Sequence, residues 1–199
     1  PRHVLGGKGY TSPSDKLNIA GIGVRKWGMG AGNLSQCETE NIVALCDVDQ
    51  KQAAPTYKKY PKAKVYKDFR IMLENQKDID AVIVATPDHN HAVITMLAMK
   101  MGKHVYCQKP LTHTVYEARM ITEAAKKYKV QTQMGNQGRS SDEIRSLKEW
   151  IDDDAIGQVR EVFAWTDRPV GGHEWDTFAV KAMSKDKPPI PEGLDWDLW

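Results

Sequence analysis

Leu17-Asn-Ile-Ala-Gly21-Ile-Gly23-Val-Arg-Lys-Trp-Gly28-Met-Gly30 is the stretch on which the fold turns. A short apolar run ending in Gly-x-Gly reads as a buried strand that bends sharply into a helix. Glycine at such a bend lets the backbone approach a pyrophosphate, which rests on the amide groups opening the helix. Strict spacing would put a third glycine where this chain has Lys26. Gly28 supplies it if the turn is two residues longer than usual.

The chain around this stretch alternates short apolar runs with longer helical ones. Leu17–Gly21, Ile42–Cys46, Ala81–Ala85 and His104–Cys107 read as buried strands of a parallel sheet, with weaker pieces at Lys64–Tyr66 and Val130–Gln133. Between them, Asn90–Lys100 has helical spacing and a stop at Gly102, while Thr114-Val-Tyr-Glu117 is a capping box. Ser140-Ser-Asp-Glu143 reads as a second box, opening a helix to about Ile151. After Asp49, Pro55 should kink a helix or delay its start. Strands alternating with helices predict an α/β fold, a Rossmann-type doubly wound parallel sheet. Residues 1–16 read as an irregular arm and 17–138 as the nucleotide-binding domain. Residues 139–199 read as the start of a second α+β domain, including a strand at Gln158–Thr166 that joins a different sheet.

Composition narrows the function classes. Hydrophobic residues make up 41% and charged residues 27%, enough for a proper core. The net charge is +2, from 28 Lys+Arg against 26 Asp+Glu, and the basic residues are scattered. No nucleic-acid partner is expected from this balance. The longest purely apolar run, Ala81–Ala85, is too short to span a membrane. Cys37, Cys46 and Cys107 have neither disulfide nor zinc spacing, and Cys46 and Cys107 read as small buried hydrophobes at strand ends.

Three further motifs carry chemistry. Asp47 ends the second strand, nineteen residues after Gly28. A carboxylate there accepts hydrogen bonds from the ribose hydroxyls and repels a 2′-phosphate. No arginine follows at once and Lys51 is the nearest cation, so NAD is expected rather than NADP. Asp49 reads as a helix cap. Ala85-Thr86-Pro87-Asp88-His89-Asn90-His91 comes after the fourth strand, where open α/β sheets bind ligands. Its two histidines and one aspartate, with no further acidic or Cys ligand in view, do not read as a metal site. Val105-Tyr-Cys107-Gln108-Lys109-Pro110 places a lysine at the end of the fifth strand. Oxidising a carbinol with a nicotinamide needs a group that takes or stabilises the hydroxyl proton. A partly desolvated lysine can do so, because burial lowers its pKa.

Together with Gln133-Met-Gly-Asn136-Gln137-Gly, these motifs resemble the Gfo/Idh/MocA family over about Leu17–Arg168, and more loosely to Trp199. The resemblance implies that Lys109 contacts nicotinamide ribose and substrate. It implies too that Thr86, Pro87 and His91 line the cofactor, and that Asn136 and Gln137 sit near the nicotinamide. Gly21, Gly23, Gly28, Asp47 and Gln108 complete the expected cofactor residues. The sequence departs from the pattern in three ways. Gln108 replaces a glutamate, which removes a charge beside Lys109. Arg25-Lys26-Trp27 expands the pyrophosphate turn. The family's Asp/His pair on a second-domain helix is expected after residue 199, since His173 and Asp176 have similar spacing but lie too early.

The function expected is NAD-dependent hydride transfer to or from a sugar, sugar derivative or cyclitol, with Lys109 as the catalytic residue. Two rivals are glycoside cleavage by transient oxidation and non-catalytic dinucleotide binding. The family also implies homo-oligomers paired through the second domain. The chain itself reads as incomplete in that domain, leaving the apolar face of Val159–Trp165 to be covered. The arm Pro1-Arg-His-Val-Leu-Gly-Gly resembles the residues just after the export signal of bacterial members, which suggests the periplasm.

Overall fold

The structure, a computed structural model, describes residues 11–165 and 189–199. His173 and Asp176, and most of the arm at the start of the chain, lie outside the described residues. Within them the six strands expected for the sheet follow one another in the order the sequence pattern gives. The elements are β1 (Asn18–Ile22), α1 (Met29–Ser35), β2 (Asn41–Cys46), α2 (Gln50–Lys59), β3 (Lys64–Tyr66) and α3 (Phe69–Asn75). Then come β4 (Ala81–Val84), α4 (His91–Lys100), β5 (His104–Gln108), α5 (Val115–Tyr128), β6 (Thr132–Gly135) and α6 (Asp142–Asp152). The strands form one sheet in the order β3-β2-β1-β4-β5-β6, and every pairing is parallel. That order reverses direction between β1 and β4, which opens a crevice at the carboxyl ends of those strands.

Burial on both faces explains the continuous apolar runs. Successive strand residues point to opposite sides. Ala20, Ile22, Cys46, Val82 and Val84 pack on Ile94, Met99 and Ile121 of α4 and α5. Ile19, Leu45 and Ile83 pack with Val24, Leu34 and Ala53 on the other face. Cys46 and Cys107 are buried in the first of these cores, as their small apolar character predicts.

Three local points refine or change the expectations. Helix α2 runs through Pro55, capped by Asp49, whose side chain accepts from Gln52 N. Tertiary bonds hold the flanking residues: Thr56 Oγ1 donates to Val24 O at 2.7 Å, and Lys26 N donates to Gln52 O at 2.9 Å. The proline's missing amide is thus tolerated where the glycine turn is stitched to the helix. Second, α6 is capped by Ser141, not Ser140, because Ser140 ends a short 3-10 turn, Gln137–Ser140. Third, the strand expected at Gln158–Thr166 does not form over residues 158–165, and Val162, Phe163 and Trp165 are exposed. A strand needs a neighbour for its backbone groups, and no described residue pairs with this one.

The chain divides into two compact units. Residues 1–136 and Pro191–Trp199 form the first, and Gln137–Ile190 the second. The first unit's main span ends at Asn136, where the sequence pattern places residue 138. The final segment packs with the nucleotide-binding unit. Among the described residues no helix is long and apolar enough to cross a membrane.

Candidate active site

One cavity of about 530 Å³ opens at the carboxyl end of the sheet. Gly23, Arg25, Gly28, Asp47, Thr86, Pro87, His91, Gln108 and Lys109 all border it, so the turn after β1, the end of β2, the loop after β4 and the end of β5 share one groove. Asp47 and Lys109 face the same space.

The glycine turn is built for close approach. Gly23 has φ +80°, and a Cβ on it would lie 2.6 Å from the Ala85 carbonyl. Gly30 is equally constrained, since a Cβ there would overlap the Gly23 carbonyl and meet Ala85 Cβ at 3.3 Å. Gly30 therefore takes the third-glycine role that the sequence spacing assigns to Gly28. Gly28 is instead the N-cap of α1, with ordinary φ and no side-chain cap. At Gly21 a Cβ would meet Leu34 and Val24 side chains at 2.8 Å, and the residue does not border the cavity. The inserted residues bulge outward, with Trp27 at φ 64° and 88% exposed, which leaves Arg25 at the cavity's edge. A further glycine just beyond Gly28 is the sequence signal for this longer loop.

Asp47 is buried but not idle. Oδ2 accepts from Val24 N at 2.7 Å and Oδ1 from Asp49 N at 2.9 Å. Burial pushes its carboxyl up, and the amides of Asp49, Val24 and Arg25 oppose that by stabilising the anion. A carboxylate offers about four lone-pair sites, so with these three amides bound it can still accept from a further donor. Lys51, the nearest cation in sequence, is held by Glu192 at 2.9 Å.

His91 borders the cavity, yet both of its ring nitrogens are taken up within the protein. It is 1% exposed, with Nδ1 2.6 Å from Pro110 O and Nε2 2.8 Å from Thr86 O. Both partners are acceptors, so the ring donates twice and is held as the cation. Burial pulls its pKa down, but the Cys107 sulfur and the two carbonyls outweigh it and lift it to about 9. His91 thus ties the β4 loop to the β5 loop and has no nitrogen left for a cofactor. Thr86 Oγ1 is buried without a hydrogen-bond partner among the described residues.

Gln108 is buried and donates from Nε2 to Asn33 Oδ1 at 2.7 Å. Its side chain sits where a Cβ on Gly135 would fall, 2.8 Å away. The neutral amide therefore fixes β5 to α1. Lys109 is exposed, so the desolvation expected around its ammonium is not supplied by the described residues. Asn136 stands exposed beyond β6, outside the cavity's lining, and Gln137 opens the turn in the second unit. His89 is engaged with Trp199 O at 3.0 Å, and among the described residues no group of three or more His, Cys, Asp and Glu could hold a metal.

A model described as an oxidoreductase family with an NAD-binding Rossmann fold, GFO_IDH_MocA, matches residues 17–136. Inositol 2-dehydrogenase of Salmonella typhimurium is 32% identical over 149 residues, which is 72% of this chain and 43% of that protein. D-glucoside 3-dehydrogenase of Escherichia coli is 29% identical over 77% of this chain and 43% of its own length. Among solved structures, myo-inositol 2-dehydrogenase from Lactobacillus plantarum is similar with a TM-score of 0.66 and 26% identity, covering 72% of this chain and 43% of that one. The chain spans less than half the length of these relatives.

Proposed function

The chain belongs to the Gfo/Idh/MocA oxidoreductase family, with its NAD-binding Rossmann fold, and from that premise we propose that the whole protein transfers hydride between NAD and a hydroxyl-bearing carbon of a sugar, sugar derivative or cyclitol. The observation that carries this reading is the shared groove: Asp47, the Gly23 turn and Lys109 border one cavity. The groove's lining suits the cofactor: Gly23, held at φ +80° against the Ala85 backbone, puts a turn without a side chain on the cavity, and beside it Thr86 Oγ1 is buried with no hydrogen-bond partner among the described residues.

Bound NAD supplies the hydride acceptor. Asp47 accepts from the adenosine ribose hydroxyls and discourages a 2′-phosphate. Gly23 lets the backbone approach the pyrophosphate. Lys109, at the other end, holds the substrate hydroxyl and relays its proton as the carbinol becomes a carbonyl. Gln108 acts through position only, by locking the strand that presents Lys109 to α1. The substrate class rests on the similarity to inositol and glucoside dehydrogenases. Pairing of subunits through the second domain, and export to the periplasm suggested by the arm at residues 1–7, belong to the same reading.

The test is Lys109→Ala in the full-length protein. Turnover with a panel of cyclitols and sugars is expected to fall by about 10²–10⁴-fold, the usual worth of a positioned proton-transfer group. Wild-type turnover in the variant would remove Lys109 from the chemistry.

A further inference from the structure

The segment Pro191–Trp199 returns to the first unit and runs beside the nucleotide groove, with Leu194, Leu198 and Trp199 bordering the same cavity as Asp47 and Lys109. It is fastened at two places. At one, Asp49 and Leu194 form an antiparallel bridge, Gln50 N donates to Gly193 O at 3.0 Å, and Asp195 N donates to Val48 O at 2.9 Å. At the other, Trp199 O accepts from Asn90 Nδ2 at 3.1 Å and sits 3.0 Å from His89 Nε2, whose ring meets the Trp199 ring edge-on. The first anchor lies just past β2 and the second on the loop after β4, so the segment bridges two banks of the groove.

Gly193 makes the first anchor possible. Its φ is +94°, and a Cβ would lie 2.8 Å from Lys51 Cβ. Internal bonds stiffen the rest of the segment: Leu198 N donates to Asp195 Oδ1 at 3.2 Å, and the Trp196 and Trp199 rings stack 5.2 Å apart. On the groove side, Leu194 and Leu198 face a space also bordered by Val48, Phe69 and Pro87. These side chains offer an uncharged apolar lining. It adjoins Asp47 and lies across the sheet from Lys109, because β2 and β5 flank β1 and β4.

We propose that Pro191–Trp199 is a strap forming one wall of the cofactor's adenine pocket, with Leu194 and Leu198 as the side chains that grip the flat base. This rests on the cofactor reading proposed for the groove: once the ribose is at Asp47 and the pyrophosphate at Gly23, the base hung from that ribose lies at the strap. His89 and Asn90 then serve as the strap's mooring.

Two probes separate the strap from the cofactor reading. ADP-ribose carries the adenine, and nicotinamide mononucleotide lacks it. In the full-length protein, Leu194→Ala with Leu198→Ala is expected to weaken ADP-ribose about tenfold while leaving nicotinamide mononucleotide unchanged, since only apolar contact with the base is lost. Gly193→Ala, which unseats the first anchor, and His89→Ala with Asn90→Ala, which frees the second, should weaken ADP-ribose in the same selective way. All are measured below their unfolding midpoints. Unchanged or tighter ADP-ribose binding, or equal weakening of both probes, overturns the strap. A wild-type protein that binds neither NAD nor ADP-ribose overturns the cofactor reading as well.

Discussion

His91 shows how far one residue's role lies from what its neighbours in sequence suggest. Its position soon after β4, where α4 opens, is legible, but not its work, because only the fold brings Pro110 O to the far side of its ring. Asp47 is legible for the opposite reason: an acid at the end of a second strand serves whatever nucleotide lies there. Even so, its bonds to the Val24 and Asp49 amides arise from the tertiary turn. The His91 cation has a pH consequence whose sign comes from linkage. Its folded value of about 9 lies above the ordinary 6.5, so its contribution to stability is complete below the ordinary value and is lost as pH rises through the folded one. The unfolding midpoint of wild type relative to His91→Gln should therefore be highest near pH 6 and narrow by about pH 10. A gap that stays constant over that range would mean the ring is neutral in the fold.

At the scale of elements, the parallel strands are readable because burial on both faces leaves continuous apolar runs, and the Thr114–Glu117 capping box forms as its residues predict. The glycine turn is readable in kind but not in detail. Counting from Gly21 cannot show that Arg25-Lys26-Trp27 bulges outward, so spacing alone gives Gly28 a role that belongs to Gly30. Two glycines of α1 make a matched test. A Cβ on Gly32 meets nothing within 4 Å, so Gly32→Ala should stabilise by about 0.5–1 kcal/mol through lower unfolded-state entropy and better helix propensity. Gly30→Ala has the same intrinsic gain but drives a methyl into the Gly23 carbonyl. It should lower the unfolding midpoint and abolish NAD binding, because α1 cannot keep its distance from β1. Equal midpoints for the two variants would show that Gly30 is not the close-packing glycine.

For the whole molecule, the nucleotide-binding unit can be read from sequence because its core is made of its own residues, whereas the described residues of the second unit cannot. Helix α6 is amphipathic, yet Ile144, Leu147, Trp150 and Ile151 are all at least 40% exposed. Val159, Phe163 and Trp165 are exposed as well, on a stretch whose alternation announces a strand. A period-two pattern states which face would be apolar but not which strand will pair with it, so the residues alone name no partner. Large apolar side chains left exposed in this number favour association in water. The 199-residue chain expressed by itself should therefore form concentration-dependent oligomers by light scattering. Leu147→Glu with Trp150→Glu, placing charge on that helix face, should shift it towards monomer. NAD affinity should stay the same, because neither residue borders the cavity. If the doubly charged variant associates as strongly as the parent, the contact surface lies elsewhere than on that helix face, and the Val159–Trp165 stretch and the apolar groove between α4 and α5, lined by Val93, Met96, Tyr116 and Met120, become the surfaces to mutate.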